Sequence, residues 1–157
     1  KASVFGEKES QKIEMGGLSA IGQWSGNKPR FIVLEYKPKA GSKKSKNINR
    51  NTIALVGKGI TFDTGGISIK PSKGMGEMKA DMSGAAVVVG TLIAAAKNNL
   101  PVNLFGVIPS SVNMVSSPEH IFSAEGIIPN KCIGKLFFAT SIRFLKKTAV
   151  PEISAII

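Results

Sequence analysis

The sequence predicts an α/β fold with a mixed, largely parallel sheet flanked by helices, and three observations carry that prediction. Short β-rich runs and one long apolar helical stretch follow each other in the order strand, glycine-rich loop, helix, strand. One of the strands, residues 52–56 (TIALV), is continuously apolar, as a strand covered on both faces must be. The charged residues Lys58, Asp63, Lys70 and Asp81 stand where apolar runs stop or begin, and open α/β sheets place their chemistry at the ends of elements.

Taken in order, residues 7–23 begin with polar, helix-compatible side chains and predict a helix ending at Gly16-Gly17, then a loop carrying Trp24 and Gly26. Arg30–Tyr36 (RFIVLEY) has strand length and composition. Residues 37–51 are rich in Lys, Ser, Asn and Gly, lack apolar periodicity, and predict an exposed loop. After the strand at 52–56 and the glycine-rich stretch, apolar residues cover most of the circumference of 81–98, which predicts a buried helix. Asn98 and Asn99 offer a stop and Pro101 bars continuation. Residues 102–108 (VNLFGVI) make the next strand, completing a βαβ order with a right-handed crossover expected. After Pro109 the pattern weakens, and 137–145 reads as one more strand or helix.

The length of 157 residues and an apolar share of 43% suit one domain with a core. The net charge of +11 is not concentrated on one element: six basic residues lie within 37–50 and five within 131–147, a pattern of solvated loops, with nucleic-acid binding as the alternative. A single cysteine, Cys132, excludes an internal disulfide and predicts a reducing compartment, the cytoplasm. The chain begins without Met and without an apolar leader core, which reads as a fragment or an internal start. Its longest apolar run, 85–96, falls short of the roughly 20 residues of a membrane span, so no membrane partner is expected.

The stretch 55–86, LVGKGITFDTGGISIKPSKGMGEMKADMSGAA, carries the candidate chemistry. Lys58 stands between two glycines just after a buried strand, and a lysine so placed either pairs with a carboxylate or gives up its proton and becomes a ligand. Asp63 and Asp81 supply hard anionic oxygens, and a carboxylate can bridge two ions in the roughly 3.5–4 Å spacing used for hydrolysis. Taken singly, Asp63 is a turn residue and Asp81 a helix N-cap. Lys70, flanked by Ile69 and Pro71, is suited to stay charged and steady an oxyanion. Rival motifs fail: a GxxxxGK[ST] phosphate loop would need glycine where Thr52 stands, and no GxGxxG, HExxH or GxSxG occurs. The one histidine, His120, reads as a surface residue.

At these residues, VGKGITFDTGG, the following S-x-K, and MKADMSGAA, the chain resembles the leucyl (cytosol) aminopeptidase family, a likeness running from about Met15 to Met114 through VIPSSVNM. The resemblance implies a partial aminopeptidase catalytic domain: a two-metal exopeptidase using zinc or manganese, acting on peptides with a free N-terminus and an apolar, leucine-like first residue, and assembled as a homo-oligomer, a hexamer in the family. It implies Lys58 and Asp81 as ligands of the tighter metal, Asp63 as a ligand shared by both, Lys70 as the electrophile beside the scissile carbonyl, and Met78 as a residue of the side-chain pocket. Ordinary core filling is the other reading of Met78.

The family follows VIPS-x-x-NM with NTDAEGR, whereas here Ser123-Ala124-Glu125-Gly126-Ile127 is the nearest match. On that match Glu125 is a further ligand, Ser123 replaces an aspartate and Ile127 replaces an arginine. The expected division is a partial catalytic domain over 1–117 and a divergent segment over 118–157. An inactive member with a structural or assembly role is the alternative function.

Overall fold

The computed structural model describes residues 1–38, 49–66, 68–114 and 153–156. The reading of 137–145, the residues Glu125, His120 and Cys132, and most of both basic stretches lie outside the described residues.

Among the described residues one sheet of six strands is flanked by helices on both faces. The strands are β1 (Ala2–Phe5), β2 (Arg30–Tyr36), β3 (Asn49–Val56), β4 (Gly59–Asp63), β5 (Val102–Asn113) and β6 (Ile153–Ile156). The helices are α1 (Glu7–Lys12), α2 (Gly16–Gly22) and α3 (Ser83–Lys97), with a 3-10 helix, Met75–Met82, leading into α3. The order across the sheet is β1-β2-β5-β3-β6, with β4 also on β5. β1/β2 and β2/β5 are antiparallel, while β3/β5, β3/β6 and β4/β5 are parallel, which is the mixed sheet the sequence predicts.

Strand alternation builds two cores. Phe31 and Val33 of β2 join Met15, Leu18 and Ile21 of the α2 region on one face, while Ile32 and Leu34 join Val88, Leu92 and Ala95 of α3 on the other. The β3–α3–β5 unit is the expected strand–helix–strand. Together with its 3-10 lead-in, α3 forms a continuous segment, Met75–Lys97, long and apolar enough to cross a membrane by length and composition. In this fold α3 lays only the stripe Ala85, Val88, Leu92, Ala95 on the sheet and leaves Val87, Val89 and Ile93 exposed, so it is covered on one face and is not the buried helix that its apolar circumference predicts.

Several boundaries differ from the sequence reading; β3, for one, begins at Asn49, inside the 37–51 stretch read as a loop. The glycine pair does not end a helix but opens α2; the break falls before it, where Glu14 takes a positive φ of 60° and buried Met15 turns into the core. Burial of Met15, Leu18 and Ile21 outweighs the poor helix propensity of Gly16 and Gly17. Helix α3 begins at Ser83 rather than Asp81, because the preceding residues wind as a 3-10 helix. Strand β5 runs five residues past Ile108, through Pro109. Along β5 the pairing with β3 ends at Val107 and that with β4 begins at Ser110, so Pro109 sits at the changeover, where its missing N–H interrupts neither ladder.

Candidate metal and substrate site

The site is assembled where α3 meets the carboxyl ends of β3 and β4. Gly57 and Gly84 let the two backbones touch: a Cβ on Gly57 would lie 2.4 Å from the Gly84 carbonyl oxygen, and one on Gly84 would lie 2.8 Å from the Lys58 nitrogen. The contact is closed by the Ala85 N–H, which donates to the Lys58 carbonyl at 2.9 Å. Lys58 is thereby held facing the 3-10 helix, and its Nζ lies 2.7 Å from Oδ1 and 2.6 Å from Oδ2 of Asp81. Asp81 is not the N-cap of α3; Met82 holds that position without a side-chain cap.

Asp63 is the last residue of β4 and is 3% exposed. Its Oδ1 accepts from the Gly65 N–H at 3.0 Å and from Asn113 Nδ2 at 2.7 Å, and its Oδ2 accepts from Lys70 Nζ at 2.6 Å. The loop is drawn back onto the strand end by the Lys70 N–H, which donates to the Thr64 carbonyl at 2.8 Å. Lys70 Nζ also donates to Met78 Sδ at 3.3 Å. A 3-10 helix has about three residues per turn, so Met78 and Asp81 stack on one face of Met75–Met82 and meet the two lysines side by side. Met78 is half-buried rather than packed in either core.

Burial pushes the Asp63 carboxyl up, but the Lys70 hydrogen bond and the Gly65 and Asn113 donors outweigh it and hold the group below its ordinary value of 3.8. A lowered folded-state value means that ionised Asp63 stabilises the fold above the ordinary aspartate range and that this stability is lost as pH falls through the folded value. Urea unfolding from about pH 6 down to about pH 2.5 is expected to show a steeper acid loss in the wild type than in Asp63→Asn. Identical pH slopes would contradict the pairing.

The structure therefore brings Lys58, Asp63, Lys70, Met78 and Asp81 together. Asn113, which sequence reasoning passed over, belongs with them; the strand read at 102–108 stops short of it, and only the pairing of β4 with β5 sets it beside Asp63. As a donor set for divalent cations, two carboxylates and one amine fit part of a coordination shell, fewer than the four ligands of a closed zinc site. No group of three or more His, Cys, Asp or Glu side chains able to hold a metal occurs among the described residues.

Residues 1–121 match the cytosol aminopeptidase family, catalytic domain. A protein of Chlorobium limicola described as a probable cytosol aminopeptidase is 42% identical over 162 residues, which takes in 98% of this chain and 31% of the relative. One of Rickettsia rickettsii is 51% identical over 113 residues, 72% of this chain and 21% of the relative. Among solved structures, leucine aminopeptidase of Caenorhabditis elegans superposes with a TM-score of 0.78 at 27% identity, over 99% of this chain and 32% of that one. The bottromycin maturation enzyme BotP in complex with Mn gives 0.63 at 38% identity, over 73% and 23%.

The fold is thus shared with leucine aminopeptidase of Caenorhabditis elegans, and this chain belongs to the cytosol aminopeptidase family, within its catalytic domain. The likeness is wider than the motif stretch from Met15 to Met114, since the alignment with the Chlorobium relative takes in 98% of the chain. The chain spans less than a third of the length of the curated relatives it matches.

Proposed function

We propose that this chain carries part of the active site of a metallo-aminopeptidase that removes N-terminal, leucine-like residues from peptides. The observation that carries the reading is the pair of ammonium–carboxylate contacts, Lys58 with Asp81 and Lys70 with Asp63, at the ends of parallel strands in a chain of this family. Asp63 and Asp81, together with Lys58 once it has given up its proton, would hold divalent cations, zinc or manganese and two per site, with Glu125 as a further ligand. When bound, such ions supply Lewis acidity and an activated water. Lys70 offers its side-chain donor to the carbonyl oxygen of the first peptide bond, where negative charge develops. Met78, beside it, borders the space for the substrate's first side chain. The enzyme works in the cytoplasm as a homo-oligomer, a hexamer.

The test is hydrolysis of leucine amide by the purified chain with added Mn2+. Turnover that requires the metal and disappears in Asp81→Asn is the expected result, and turnover indifferent to either overturns the reading. A second reading, a non-catalytic assembly subunit, is favoured by the short donor set among the described residues. It predicts a dialysed chain that holds fewer than two ions and no turnover.

A further inference from the structure

Building on the reading of Asp63 as a metal ligand, we propose that Asn113 is a positioning residue that fixes the Asp63 carboxylate and so decides which of its oxygens is presented to a cation. The two residues are 50 apart in sequence and meet because β4 and β5 run parallel with Asp63 opposite Asn113 in register. Nδ2 of Asn113 donates to Oδ1 at 2.7 Å, and the Gly65 N–H donates to that same oxygen at 3.0 Å. Two donors on one oxygen stop rotation of the carboxylate. Oδ2 is left directed at the loop, where the Lys70 ammonium lies 2.6 Å away.

Asn113 is itself locked. Its backbone carbonyl accepts from the Thr64 N–H and from Thr64 Oγ1, both at 3.0 Å. The residue is 8% exposed. Gly66, at φ +64°, makes the room its amide needs: a Cβ there would stand 2.9 Å from Asn113 Oδ1. Closing the sheet end requires only the Asn113 backbone, which any residue supplies, whereas the side-chain amide spends its donor on the carboxylate. Outer partners of this kind orient metal ligands, and their loss typically weakens metal binding about 10–100-fold.

The test is calorimetric titration of the whole chain with Mn2+, alongside thermal unfolding, for Asn113→Leu, Asn113→Ala and Thr64→Val. Leucine keeps the branched shape of asparagine and removes the donor, so it separates positioning from packing. Both Asn113 variants are expected to bind Mn2+ about 10–100-fold more weakly. Thr64→Val, which loses a hydrogen bond to the Asn113 carbonyl but not the amide, is expected to unfold at a lower temperature and keep wild-type affinity. Wild-type affinity in Asn113→Leu, or an equal loss of affinity in Thr64→Val, overturns the proposal. Asp63→Asn separates it from the parent reading. If that variant loses Mn2+ while Asn113→Leu keeps it, the role of Asn113 alone falls; if it binds as the wild type does, or the wild type takes up no Mn2+, both fall.

Discussion

Gly57→Ala is expected to lower the unfolding free energy by on the order of 3 kcal/mol, at the upper end of the cost of overpacking. The added methyl would stand 2.4 Å from the Gly84 carbonyl oxygen, 2.7 Å from its carbonyl carbon and 2.8 Å from Val88 Cγ2. Two of those atoms are backbone, and the carbonyl belongs to the first turn of α3, so relief requires the helix to move off the sheet. That movement would strain the Ala85 to Lys58 hydrogen bond and carry Asp81 away from Lys58, so metal binding should fall together with stability. Gly90→Ala is the control, because a Cβ there meets nothing within 4 Å. In mid-helix it should stabilise by up to about 1 kcal/mol. Urea unfolding of both variants decides the matter: a neutral Gly57→Ala would mean that the backbone contact between β3 and α3 is not tight.

Lys70→Met is expected to reduce kcat for leucine amide by about 10²–10³-fold, the usual cost of removing one donor to a developing oxyanion. It should also cost about 2 kcal/mol of stability, less than for a fully buried pair because the side chain of Lys70 is 28% exposed while that of Asp63 is 4% exposed. The two losses are separable. Removing one partner leaves the Asp63 charge uncompensated, whereas replacing both can be close to neutral. Adding Asp63→Asn to Lys70→Met should therefore recover most of the stability and none of the activity. A Lys70→Met chain with unaltered kcat would remove Lys70 from the chemistry, whatever its effect on folding.

Lys58, Asp63, Lys70 and Asp81 were legible in the sequence because each stands beside a change of pattern, and such changes are local. Strand β2 and the apolar part of β3 were legible for the same reason: their composition and length suffice. Strand β1 was not, since four residues of alternating character carry little periodicity. Its partner is β2, and Ala2–Phe5 pairs with residues some 30 positions away. The 3-10 winding of Met75–Met82 was equally hidden, because its glycine and mixed polarity match no helical stripe. Yet that winding, rather than the α-helix expected from Asp81, is what stacks Met78 above Asp81.

The sequence alone determined the fold class, the βαβ unit around α3 and the set of charged residues at its centre, because hydrophobic period and turn chemistry are properties of neighbouring residues. Tertiary structure decided which polar groups meet. Lys58 meets Asp81 across 23 residues, and Asp63 meets Asn113 across 50. Those meetings depend on the parallel register of β4 on β5 and on the glycine contact between β3 and α3, which are set by packing between distant segments and leave no periodic trace along the chain.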